Sequence, residues 1–298
     1  MSARHAGLLG ILAALWGSSY LLIKYALAGF SPFEVVFGRA ALAAIVLLLA
    51  CRLQGGAAWA ALAGPRRRPG PALALGALSV AVPFTLISVG ELEVPSGLTA
   101  ILIAPSPLWV AVLAPLLDPS EALASRGWLG LAAGLGGIAL VVGVETIHTT
   151  AQFLAALGVL AAAACYAGGS YLVKGAYGGA PSLATSAIAV SVAAVLTAAP
   201  AAATAPTGGP GAGALVALLA LGVTHTALAF VIFYKLIGEI GAGRANLVSY
   251  LTPAVALAYG ALLRSERVTP VDVLGLLLIL GGVALASRAA RARVPVSP

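Results

Sequence analysis

The chain has 298 residues, 61% hydrophobic and 8% charged, with a formal net charge of +7 and a mean hydropathy of +1.07. Soluble domains are about 25% charged, so this chain cannot cover a water-facing surface, and lipid is the solvent for most of it. The positive charge does not mark a nucleic-acid partner, because the arginines cluster in short connections between apolar runs, where they act as topology signals.

A hydrocarbon core of about 30 Å takes about 20 apolar residues at a helical rise of about 1.5 Å. Ten such runs lie at 7–27, 33–51, 71–90, 96–117, 127–144, 153–173, 182–203, 212–234, 242–263 and 271–288, which predicts an all-α integral membrane protein of ten transmembrane helices. The 36 glycines and abundant alanine suit close helix packing in lipid. The longest connections, Arg52 to Gly70 and Thr204 to Gly211, are too short to hold a soluble domain. The first run follows Arg4 and has the look of a signal peptide, but its polar-studded interior argues for a permanent helix.

That interior, WGSSYLLIK from Trp16, recurs 150 residues later as YAGGSYLVK from Tyr166. At an offset of 146, Leu73–Gly76 equals Leu219–Gly222, and Phe84, Glu93, Gly97 and Pro107 align with Phe230, Glu239, Gly243 and Pro253. At 145, LGLAAGLGGIAL from Leu129 matches LGLLLILGGVAL from Leu274. The chain reads as two homologous five-helix halves, 1–147 and 148–298. Five is odd, so the second half enters the membrane inverted. With the N-terminus inside, Lys and Arg divide 12 inside to 3 outside, with Arg39 left within a helix, which predicts cytoplasmic termini.

WGSSYLLIKYAL, Arg39 in the second run, and halves that each end in a Pro-bearing helix, an acid (Glu121, Glu266) and an LGxxxxxGGxAL helix together resemble the EamA-type branch of the drug/metabolite transporter superfamily. The resemblance spans essentially the whole chain. It implies a 5+5 inverted repeat in a bacterial inner membrane and export of small metabolites, with aromatic amino acid exporters of the YddG type as the nearest suggestion within the branch. DPSE at Asp118–Glu121 departs from the family's Gly-Glu turn, so Glu121 is given no special role.

Candidate site residues follow the chain. Trp16, Ser18, Ser19 and Tyr20, with Gly168, Gly169, Ser170 and Tyr171 in the related run, form either a close helix crossing or a cavity wall that touches solute. Arg39 sits about one and a half turns into its helix, where structural or gating use outweighs direct solute contact. Ser79 aligns with His225, the one histidine deep in an apolar run, and both are expected to contact substrate, with packing against a neighbouring helix as the plainer reading of the histidine. Pro105 and Pro107 in the fourth run answer Pro253 in the ninth, paired interruptions that free backbone carbonyls toward a pathway. Trp109, Asn246, Ser249 and Tyr250 could line the same path or pack.

Carboxylates are expected only in loops or near helix ends, which disfavours tight proton coupling and favours facilitated diffusion or exchange. Cys51 and Cys165 form no disulfide framework or metal site, GGPGAG from Gly208 follows an apolar run and not a strand, and no cofactor is implied. An intramembrane hydrolase would need a GxSxG nucleophile, which neither Ser96 nor Ser170 supplies. The expected function is alternating-access export of an amino acid or related metabolite, with efflux of lipophilic cations as the alternative; the partners are a small solute and the bilayer.

Overall fold

The structure, a computed structural model, describes all residues except 1, 65–67, 119–127, 131, 135, 138–139, 141–147, 205–208, 266 and 292–298. Among the described residues it is helical throughout, with no strand. The long helices are α1 (Ala3–Leu27), α2 (Pro32–Gln54), α3 (Pro69–Glu93), α4 (Ser96–Leu117), α5 (Thr150–Gly175), α6 (Ser182–Ala203), α7 (Ala212–Ile240), α8 (Val248–Arg264) and α9 (Pro270–Arg291). The first seven are long and apolar enough to cross a membrane, and α8 and α9 contribute the shorter apolar segments Leu251–Leu263 and Pro270–Gly282. The expected fifth run lies partly outside the described residues; within it 128–130, 132–134, 136–137 and 140 are helical. Glu121 and Glu266 lie outside them.

The caps are written in the sequence. Ser31 accepts from the Glu34 amide at 3.3 Å while the Glu34 carboxylate accepts from the Ser31 amide at 2.8 Å, a capping box that starts α2 just ahead of Pro32. Thr149 and Gln152 do the same for α5. Leucines and valines such as Leu53, Leu116, Val195 and Leu262 stand three-quarters or more exposed on the outside of the bundle, the side chains expected to face acyl chains.

Packing rests on small residues. A Cβ at Gly76 in α3 would meet Val192 of α6 at 2.5 Å and the Ala189 carbonyl at 3.1 Å. At Gly222 in α7 it would meet Leu42 of α2 at 2.6 Å and the Arg39 carbonyl at 3.3 Å. These two contacts map onto one another at offsets of 146 and 150 residues. Similarly, Gly137 abuts Gly275 and Ile279, and Gly282 abuts Gly130 and Gly134, a correspondence at 145. Helices can approach this closely only where no side chain intervenes.

Two departures from the sequence expectation bear on the site. The connection Arg52 to Gly70 carries a short helix, Gly56–Ala61, with the Arg52 guanidinium 5.3 Å from the Trp59 ring centroid. The ninth run is not one helix, because a short turn Ala242–Ala245 precedes α8 and the break falls at Asn246–Leu247 while Pro253 stays inside α8. Gly241, at φ 85°, makes the left-handed turn that starts this segment.

Candidate functional site

Both α3 and α7 loosen into π-helical turns, at Ala77–Ala81 and Val223–Leu228, which correspond at the offset of 146. A π turn lengthens the hydrogen-bond loop and re-aims the side chains that follow. In α3 its local cause is Pro83, which has no N–H to continue the ladder. In α7 side chains do the work: Thr224 donates to the Ala220 carbonyl at 2.8 Å, and His225 Nδ1 lies 3.0 Å from the same oxygen.

Beside these turns lies a narrow cavity of about 60 Å³. Its aromatic side is built by α1, α3 and α7. Trp16 meets Phe233 edge-on at 4.9 Å, Phe230 meets Phe84 at 6.0 Å, and Phe230 meets Tyr234 at 5.4 Å. The spacing of Phe230, Phe233 and Tyr234 puts them on one face of α7, and such tilted pairs are the favoured aromatic geometry.

The opposite side is polar and comes from the interrupted helices. Pro107 cannot donate to the Ile103 carbonyl, and the Ser106 hydroxyl does so instead at 2.7 Å, next to the break at Ala104–Pro105. Asn246, in the break before α8, donates to Ser170 at 3.1 Å and to the Ala242 carbonyl at 2.9 Å, tying α5 to the turn. Ser249 and Thr252 of α8 complete this wall. The hydroxyls of Ser19, Ser79 and Tyr234 also line the cavity, all buried, and reach hydrogen-bond geometry with no protein group. Ser79 and Tyr234 are close neighbours, and Gly169 lets the α5 backbone come against Ser79.

Arg39 is the charged residue of the lining among the described residues, and it is 2% exposed. Its Nε donates to Thr226 at 3.0 Å and its guanidinium carbon lies 3.9 Å from the Phe84 centroid. A threonine hydroxyl and an aromatic face thus hold the guanidinium.

The expected site residues divide. Trp16, Ser19, Tyr20, Ser79 and Asn246 come together on the cavity wall. His225 and Ser18 stand outside the lining: His225 Nε2 is 3.0 Å from Ser18 Oγ and Nδ1 is 2.6 Å from Thr224, so the imidazole ties α7 to α1. With the proton on Nδ1, the imidazole donates to the Ala220 carbonyl alongside Thr224, and Nε2 can accept from the Ser18 hydroxyl. Trp109 packs half-buried in the bundle, Pro105, Pro107 and Pro253 shape the wall without lining it, and the Tyr250 side chain lies outside the described residues. Phe84, Tyr166, Phe230, Phe233 and Tyr234 are lining residues that the sequence reading missed. Their signal was present in the i, i+3, i+4 aromatic spacing of α7 and the correspondence of Phe84 with Phe230.

One carboxylate is deeper than its position near a helix end suggests. Glu91, 1% exposed, lies one turn beyond the cavity residue Ile87. Lys24 donates to the carbonyls of Glu91 and Val94, the latter at 2.8 Å.

The family model of EamA-like transporters matches residues 5–143 and again residues 153–288. The uncharacterized inner membrane transporter YedA of Escherichia coli (strain K12) is 26% identical over 284 residues, covering 94% of this chain and 89% of that protein. The uncharacterized transporter YdfC of Bacillus subtilis (strain 168) is 25% identical over 291 residues, covering 92% of this chain and 87% of that one. A solved crystal structure shares the fold with a TM-score of 0.73 at 19% identity, over 98% of this chain and 100% of its own. Matched along both halves, the chain belongs to the EamA-like transporter family of the drug/metabolite transporter superfamily, multi-pass membrane proteins that move small solutes.

Proposed function

We propose that the protein is a secondary transporter that exports amino acids or related small amphiphilic metabolites by alternating access, using the aromatic and hydroxyl-lined cavity as its solute site. The observation that carries this reading is the cavity itself, enclosed by α1, α2, α3, α4, α5, α7 and α8, with buried hydroxyls beside an aromatic cluster. Burial of an apolar side chain there contributes about 25 cal/mol per Å², while polar groups fix the other end of the solute. The lining of the described residues carries no carboxylate, which favours this class over lipophilic cations.

Alternation is supported by the repeated contacts of Gly76 and Gly222 and by two lysines 150 residues apart. Lys24 holds the start of α4 through Val94 at 2.8 Å, and Lys174 pairs with Asp118 at its end. These points lie near opposite ends of the helix, since the 24 residues from Val94 to Asp118 rise about 36 Å. Two inverted five-helix halves, 1–147 and 148–298, would exchange such contacts as they rock. The Lys and Arg distribution supports a cytoplasmic side for both termini.

Counterflow in proteoliposomes against a panel of amino acids and lipophilic cations tests the reading. Saturable exchange of at least one amino acid or close relative, recovered chemically unchanged, is the expected result. Transport of the cations alone, or chemical conversion of the solute, would overturn it.

A further inference from the structure

We propose that the site selects hydrophobic monocarboxylates through Arg39, and that an α-amino group on the solute is dispensable. This rests on the cavity being the solute site and specifies what that site recognises.

A guanidinium is a rigid fork whose geometry matches a carboxylate. Here the fork is already aimed. Thr226 takes Nε at 3.0 Å and Phe84 supports the plane at 3.9 Å. Arg39 makes no other hydrogen bond or ion pair among the described residues, so Nη1 and Nη2 remain for a ligand on a wall that Arg39 lines.

Three further groups point the same way. Ser19 is 6% exposed, Ser79 4% and Tyr234 3%; all three residues line the cavity, and none of their hydroxyls meets the geometry of a hydrogen bond to a protein group. Hydroxyl donors beside a guanidinium complete the shell of a carboxylate, whose two oxygens accept about four hydrogen bonds. An ammonium finds no matching charge, because no acidic residue lines the cavity among the described residues. Glu91, 1% exposed, is not among the lining residues. A solute bearing only a positive charge would therefore meet Arg39 without compensation. The remaining lining, Trp16 with Phe84, Phe230 and Phe233, is shaped for a flat apolar body.

Four probes with the same phenyl body separate the possibilities: 3-phenylpropionate, L-phenylalanine, L-phenylalaninamide and phenethylamine. Each is measured twice on the purified full chain, by its shift of the melting temperature and by counterflow in proteoliposomes. The expected result is that the first two bind within about threefold of each other and the last two at least about tenfold more weakly, as loss of a charge-assisted pair requires. Arg39→Gln should weaken the two acids by at least about tenfold and leave L-phenylalaninamide unchanged, and Arg39→Lys should keep part of the preference. If Arg39→Gln does not fold, the wild-type panel decides alone. Amines binding as tightly as acids, or acids binding Arg39→Gln as they bind the native chain, would overturn the assignment. Binding of the acids without counterflow would keep Arg39 as the carboxylate group and overturn transport. Counterflow of all four without discrimination would do the reverse, and binding of none would overturn both.

Discussion

His225 has both ring nitrogens occupied, by Ser18 at 3.0 Å and by Thr224 at 2.6 Å, and it stands behind the lining that its repeat counterpart Ser79 joins. Its position makes it a clasp between α1 and α7. Replacing it by alanine leaves a half-buried serine and a π turn without their partner, at a cost of about 1 kcal/mol. His225→Ala should therefore lower the melting temperature of the purified protein while the KM for transported solute stays within about twofold. A KM raised about tenfold at unchanged stability would make the imidazole a solute ligand. Ser106 offers a parallel case, since its hydroxyl supplies the 2.7 Å bond that Pro107 denies the Ile103 carbonyl. Ser106→Ala should cost about 1–3 kcal/mol for that buried oxygen, read by the same melting curves, and no loss would mean that water takes the place of the hydroxyl.

At the scale of helices, two glycines 146 residues apart serve the same purpose. Gly76 lets α3 touch α6 and Gly222 lets α7 touch α2, each with no room for a Cβ. Valine at either position should destabilise by about 1–3 kcal/mol through overpacking, and the two losses should be alike. Gly7, where an added Cβ would meet nothing within 4 Å, is the matched control and should tolerate valine. A large loss at one of the pair and none at the other would break the proposed equivalence of the halves. Helix positions and the repeated glycines were legible in the sequence because hydropathy and internal repetition are local signals, whereas the Ser/Thr-x-x-Glu/Gln caps, though local too, were not read from it. The break before α8 was not, because Pro253 marks a local constraint while the actual interruption lies at Asn246–Leu247, where the Asn246 side chain bonds the Ala242 carbonyl and reaches Ser170 of another helix. The aromatic wall was missed for a similar reason: which face of α7 meets α1 is fixed by tertiary packing.

Across the whole molecule, sidedness and access are linked. With cytoplasmic termini, a cysteine at Gly209 should react with an impermeant thiol reagent added outside intact cells, and one at Gly64 should not. The opposite pattern would invert the orientation and turn the export direction with it. Arg4 and His5 meet Glu239 at 3.4 and 3.1 Å, which joins the start of α1 to the end of α7 on the face that also carries Lys174 and Asp118. Opening that face would have to part contacts of this kind while Lys24 keeps the other closed. Exchange of these contacts is what distinguishes a carrier from a pore.

Accessibility of the cavity from the two sides tests that claim most directly. With Cys51 and Cys165, the two free cysteines, replaced by serine, Ser19→Cys places a single thiol on the cavity wall. Its modification by an impermeant reagent is followed in right-side-out and in inside-out vesicles, with and without transported solute. Reaction from either side, slowed from both by bound solute, is expected. A thiol that reacts from one side only, whatever the solute, would contradict it.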